Sequence, residues 1–314
     1  MIRHTQGRPV PVRTRDGRLL FSMVLDGPAD AAATVVFEAG AAASRSTWSL
    51  VQTRTAAFAR AVVYDRAGLG RSPADPVGRS LDRMADDLCD VLDRSGTGPF
   101  VLVGHSAGGP IVRLAASRRL DRVAGLVLVD PSDEAARALL GPGFRAAERL
   151  AVVLGRVLAG LGLLRPLFGW MVAAMPAADV REDLEREGFT TRVARTQAAQ
   201  TRTFLDELAA WRAAPPQLGD VPLTVVSGAR PGNGMSRRLR AEANAAHAAR
   251  AAAGPAGRHV LARRSAHDVP ITEPGLVAEE IRRLVAGAAR AGGVGAARAA
   301  TGGAPGAPPP GSRS

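Results

Sequence analysis

Residues 104–108 read Gly104-His105-Ser106-Ala107-Gly108, the pattern G-x-S-x-G. A serine hydroxyl is a poor nucleophile until a base takes its proton. This pattern lifts one to the apex of a sharp strand-to-helix turn, exposed at the positive end of the helix. The flanks fit that geometry. Phe100-Val101-Leu102-Val103 is a short apolar run of β-formers, and Gly109 to Ala116 reads as a helix. Gly104 and Gly108 are small because side chains there would collide in so tight a turn. Five such common residues are weak evidence alone; the strand before and the helix after are what the motif requires.

Of five histidines, one is placed to serve as the base. His4 lies in a polar start, His105 is locked beside the serine and is expected to pack or line a pocket, and His247 sits in an Ala- and Arg-rich helix with a solvated or packing role. His259 falls inside the last strand. His267 follows that strand in Ser265-Ala266-His267-Asp268. Loops leaving the carboxyl ends of parallel strands gather at one sheet edge, so His267 and Ser106 share that edge. The base needs a carboxylate to fix its tautomer. The loop after strand seven, 228–234, contains no acid, whereas the loop after strand six begins with Asp130. Asp130 is therefore the first candidate, with a turn or helix cap before Pro131 as its other reading. Asp133 and Glu134 are lesser candidates, and Asp268 is read as a surface or loop-bracing group. An oxyanion needs two donors. The Ala107 N–H follows the nucleophile, and the Ala41 N–H follows Gly40 in the loop after strand three. Asp65 and Arg66 open a Gly-rich turn and are expected to brace it.

The elements that position these groups alternate strand and helix. Residues 10–12 and 19–25 are expected to form a hairpin around Asp16-Gly17. Strands follow at 34–38, 61–65, 100–103 and 122–130, with helices over 46–60 and around Cys89. Continuously apolar strands between helices predict a mostly parallel sheet covered on both faces. Residues 133–213 break the rhythm and read as helices only. Strand signals return at 221–227 and 258–262, and a last helix is expected over 274–289. From about 290 the chain is nearly all Gly, Ala, Pro, Ser and Arg, a composition expected to stay disordered.

Composition narrows the function classes. The chain has 314 residues, 46% of them hydrophobic, and a net charge of +12 carried by arginine without any lysine. The arginines are scattered rather than gathered in a stripe with aromatics, which argues against a nucleic-acid partner. Cys89, the lone cysteine, excludes an internal disulfide and a thiolate cluster. Neither a signal-peptide core nor an apolar run of spanning length is present, so no stable membrane insertion and a cytoplasmic location are expected. The oligomeric state is not legible.

Together, Phe37-Glu38-Ala39-Gly40-Ala41, Asp65 to Ser72, Gly104 to Gly109 and Ser265 to Asp268 resemble the α/β-hydrolase fold over about residues 10–288. The resemblance implies a mostly parallel eight-stranded sheet with strand two antiparallel, flanked by helices, and a helical cap inserted after strand six. The expected organisation is then a flexible N-terminus (1–9), a core (10–132 and 214–289), a cap (133–213) and a disordered tail (290–314). Two departures stand out. Ala39 replaces the usual histidine before Gly40, and the acid commonly found after strand seven is missing. The function implied is a serine hydrolase for a hydrophobic small-molecule acyl substrate, with Ser106, His267 and Asp130 catalytic, Ala41 and Ala107 as oxyanion donors, and no cofactor or metal. A thioesterase or acyltransferase would use the same residues, and a non-catalytic small-molecule binder could retain the same pocket. A dehalogenase of this fold would need a carboxylate where Ser106 stands.

Overall fold

The structure is a computed structural model. It describes residues 4–301 except 233 and 255, and the side-chain surroundings of residues up to 290. Eight strands form one sheet in the order Arg8–Pro9, Ser22–Leu25, Arg60–Tyr64, Thr34–Glu38, Phe100–His105, Val123–Val129, Leu223–Gly228 and Arg258–Ala262. Ser22–Leu25 runs antiparallel to both neighbours, and every other pairing is parallel. The strand leading to Ser106 therefore lies inside the sheet, with its end among the ends of its neighbours.

Side chains alternate across a strand, and here the alternation builds two apolar layers. Val36, Val62, Leu102 and Leu126 join helices Leu81–Ser95 and Gly108–Ser117 on one face. Val35, Val63, Val101 and Val127 join Ser49–Thr55 and Pro274–Thr301 on the other. A sheet sandwiched in this way exposes only its strand ends, so polar chemistry collects at that edge.

Between Val123–Val129 and Leu223–Gly228 the described chain carries helices and no strand, the longest being Pro142–Gly160. Helix Ala178–Glu187 is fastened to the core by a buried arginine. Arg45 reaches Asp65 at 2.6 Å, Asp183 at 2.5 Å and Glu187 at 2.6 Å. Three carboxylates around one fully buried guanidinium offset its desolvation, and removing Arg45 would leave them clustered with only Arg71 to pair two of them.

Three expectations need correction. The start of the chain is packed from Thr5 onward rather than flexible: Gln6 is fully buried, and its amide donates to the Arg45 carbonyl and to Gln52. That order comes from hydrogen bonds to distant segments, which polar residues do not advertise in an apolar pattern; residues 1–3 lie outside the described residues. The expected opening hairpin exists as Val12–Arg13 with Leu19–Leu20, but as a separate ribbon, while Arg8–Pro9 and Ser22–Leu25 enter the sheet. The last helix runs Pro274–Thr301, beyond the expected end at 289. Alanines at 296, 297, 299 and 300 are strong helix formers, set against the unfavourable Gly292, Gly293 and Gly295 in the same stretch. The remainder of the expected tail, 302–314, lies outside the described residues.

Candidate active site

The turn at Ser106 shows why its neighbours are glycines. A Cβ on Gly104 would lie 2.5 Å from the Gly108 carbonyl oxygen, and one on Gly108 would lie 2.5 Å from that of Glu38. Ser106 itself takes φ 54°. Its backbone is held on three sides: its N–H donates to Val129, and its carbonyl accepts from Gly109 and Ser132, each at 3.0 Å. Among the described residues only Ala42, Ser106 and Asp130 adopt positive φ without being glycine. Such conformations cost on the order of 1–3 kcal/mol each and persist where surroundings enforce them, typically at functional sites. All three belong to the loops that meet at this edge.

Ser106, His267 and Asp130 form one hydrogen-bonded chain. His267 Nε2 lies 2.9 Å from Ser106 Oγ, and Nδ1 lies 2.6 Å from Asp130 Oδ2. Burial raises the cost of charge on Asp130, but the bond from His267 and the nearby cations outweigh it and hold its carboxyl well below the usual range. The carboxylate therefore accepts Nδ1–H, which leaves Nε2 bare to accept the serine proton. Burial disfavours an imidazolium at His267, yet the bond to Asp130 and its charge prevail and the shift is upward. His105 moves the other way, to about 4, through burial first and His267 second. It is neutral at pH 7, and its Nε2 faces the His267 carbonyl at 2.9 Å, so that nitrogen carries the proton and braces the His267 loop.

The lesser acids are engaged elsewhere. Asp133 pairs with Arg250 at 2.7 Å, and Glu134 takes both ends of the Arg113 guanidinium at 2.7 Å. Asp268 sits in the wall of the adjacent cavity. Asp65 does brace the Gly-rich turn, accepting from the Arg71 N–H at 3.0 Å. Arg66 instead crosses to the loop after Glu38, donating to the carbonyls of Ala39 and Gly40 at 2.5 Å each and to Glu38. A trans peptide points its C=O and N–H in opposite directions. Anchoring the Gly40 carbonyl on Arg66 thus turns the Ala41 N–H away from it, and Ala41 lines the cavity beside Ser106. Ala107 is the buried residue immediately before helix Gly108–Ser117, whose N-terminus favours negative charge.

Two residues that sequence reasoning missed act behind Asp130. Arg240 donates to Asp130 Oδ1 at 2.5 Å, and the Gly228 N–H donates to the same oxygen at 3.0 Å. His247 is buried, with Nε2 2.8 Å from the Pro131 carbonyl and Nδ1 2.7 Å from Ser227 Oγ. A carbonyl only accepts, so Nε2 is protonated and Nδ1 takes the Ser227 proton; Ser227 then accepts from His259 Nε2 at 2.8 Å. This chain ties the residues after Asp130 to the neighbouring strand. Both side chains come from helix Arg237–Ala252, whose crowd of arginines and alanines reads as a solvated face.

Arg240 has a testable consequence. Its positive charge holds the His267 pKa down. Replacing it with glutamine should move the acid limb of kcat/KM to higher pH. Losing the charged bond should also lower turnover near pH 7 by about tenfold. Arg240→Lys should move the limb less. An unmoved limb in a folded Arg240→Gln protein would reduce Arg240 to a structural tie.

A cavity of about 420 Å³ opens on Ser106 and His267. Its wall combines Gly40 to Ser44 with Leu164, Phe168, Met171, Phe189 and Val193, and among the described residues no arginine lines it. Of the neighbouring large side chains, Leu167 and Trp170 are exposed instead, and Met175 is buried against Ser49. Among the described residues no group of three or more His, Cys, Asp and Glu could hold a metal ion.

A mostly parallel sheet that presents a serine, an acid and a histidine from three loops at the carboxyl ends of its strands defines a hydrolase-type fold. The chain belongs to the alpha/beta hydrolase family, which it matches over residues 35–280. Over a 69-residue stretch it is 46% identical to lipase LipV of Mycobacterium tuberculosis, covering 22% of this chain and 26% of that protein. The matched stretches span less than half the length of such curated relatives, 40%, 26% and 43% for three of them. A Pseudomonas aeruginosa protein provisionally assigned as an epoxide hydrolase, solved as a single-site mutant, superposes with a TM-score of 0.69 at 19% identity, covering 90% of this chain and 97% of that one. A thermophilic esterase from Thermogutta terrifontis superposes at 0.64 with 20% identity, covering 90% and 99%. At these identities the likeness concerns the fold.

Proposed function

We propose that the protein is a serine hydrolase for uncharged, largely apolar carboxylic esters or related acyl compounds. The observation that carries this reading is the chain from Asp130 through His267 to Ser106, 2.6 Å and 2.9 Å, at the mouth of an apolar cavity. Ser106 Oγ attacks the acyl carbon while His267 takes its proton. The oxyanion is met by the N–H groups of Ala41 and Ala107. Collapse expels the alcohol, which receives the proton from His267 and leaves an acyl-serine. A water then gives His267 its proton, attacks the acyl carbon and releases the carboxylic acid, restoring Ser106. The helices between 133 and 213 act as a cap, supplying Leu164, Phe168, Met171 and Phe189 to the cavity. They shield the site from bulk solvent, which strengthens the electrostatics around it.

Substrate class follows from the wall. The volume falls in the ~300–1,000 Å³ range of small-molecule sites. Among the described residues no arginine lines the cavity to take a carboxylate. Turnover of p-nitrophenyl esters should rise from acetate to medium chains and fall once the acyl group outgrows the cavity. A hemisuccinate ester should be at least about tenfold poorer than the butyrate, since burying an unpaired carboxylate is costly. Equal rates across chain lengths, or a preference for the charged acyl group, would remove this reading of the pocket.

A further inference from the structure

The exposed apolar side chains of this protein are concentrated rather than scattered. Leu150, Val153, Leu154 and Val157 stand 52–68% exposed, and Leu161 at the helix end and Trp170 in helix Gly169–Ala173 are exposed too, at 66% and 44%. The first four follow i, i+3, i+4, i+7 along helix Pro142–Gly160 and so share one face. The opposite side of the helix turns inward, with Ala159 buried and Gly155 in the cavity wall. Half-buried Phe144, Val152 and Leu158 lie on that inward side as well, so the helix is apolar on both sides, and its outward stripe is one that a soluble surface does not favour.

Charge indicates what covers it. From Arg149 to Ala178 the sequence holds three arginines, at 149, 156 and 165, and neither aspartate nor glutamate. Arg165 is offset by Glu185 at 2.8 Å. Arg156 shares a shallow depression with Val153, Val157 and Arg195, so two guanidiniums flank apolar groups there. A second copy docked face to face would oppose arginine with arginine. An apolar stripe bordered by arginines with a tryptophan nearby is the composition of a helix that lies in a lipid interface. Among the described residues no helix is long and apolar enough to cross a membrane, so the contact is peripheral.

We propose that the Leu150–Trp170 face docks onto an anionic lipid surface, its apolar side chains entering the headgroup boundary and its arginines meeting the phosphates. Binding needs no chemistry at Ser106 and stands apart from the proposed reaction.

Co-sedimentation with phosphatidylcholine vesicles, with and without phosphatidylglycerol, tests it. The full chain should bind the anionic vesicles at least about tenfold more tightly and lose that binding as salt rises. Tryptophan emission should shift to the blue on binding, and Trp170→Phe should abolish the shift. Leu150→Glu with Val153→Glu, neither of which lines the cavity, should lose vesicle binding while hydrolysing a water-soluble short ester normally. Absence of binding by the wild type, or equal binding to both vesicle types at all salt concentrations, overturns the proposal. A concentration-dependent dimer abolished by the double substitution also overturns it, by making the face an interface between copies.

Discussion

Ser106→Ala should reduce ester turnover by at least about 10⁴-fold, the scale on which removing a serine nucleophile acts when oxyanion donors and binding are left in place. The fold should survive. The substitution deletes one oxygen, while the carbonyl and N–H of residue 106 keep their bonds to Val129, Gly109 and Ser132. The cavity keeps its shape, so ester binding should persist. A folded Ser106→Ala protein with more than about a tenth of wild-type kcat would mean that the hydroxyl is not the nucleophile. Steady-state kinetics on a p-nitrophenyl ester together with circular dichroism make the comparison.

The second large effect is expected at Asp130. Asp130→Asn should lower turnover at least about 100-fold with the fold intact, because the amide can donate to Nδ1 and stabilise the tautomer that cannot accept the serine proton. It should also move the pH profile, and the sign follows from His267. The base form is lost as pH falls through the His267 pKa. In the wild type Asp130 raises that pKa against the effect of burial, so the acid limb lies above the ordinary histidine value of about 6.5. Without the carboxylate the limb should move to lower pH while the plateau collapses. Near-normal turnover, or a limb that does not move, would transfer the acid role elsewhere, although Asp133 and Glu134 are already committed to Arg250 and Arg113.

The sheet and the three candidate residues are legible in the sequence because local signals mark them. Short apolar runs predict the parallel strands, the G-x-S-x-G turn marks Ser106, Asp130 stands at the end of its strand, and His267 is the one histidine in a loop leaving a strand's carboxyl end. Topology alone brings these loops to one edge, so no side-chain detail is needed to expect them together. What the sequence leaves hidden depends on contacts between distant segments. Arg240 lies 110 residues from Asp130, and its helix looks solvent-facing because arginine is the protein's only basic side chain apart from histidine. His247 gives the same polar signal whether it is solvated or, as here, buried between Pro131 and Ser227. Arg66 is recognisable as a brace, but that it braces the Ala39–Gly40 loop depends on how two parallel strands sit side by side. Gln6 is a related case, a buried polar residue satisfied by partners about 40 residues away.

The central proposal is that Ser106 becomes covalently acylated, and mass spectrometry of a fluorophosphonate-treated protein tests it most directly. The wild type should gain one adduct, mapped to the peptide carrying Gly104 to Gly108, and Ser106→Ala should gain none. Folded wild-type protein that stays unmodified, or that carries its adduct on another residue, would contradict it.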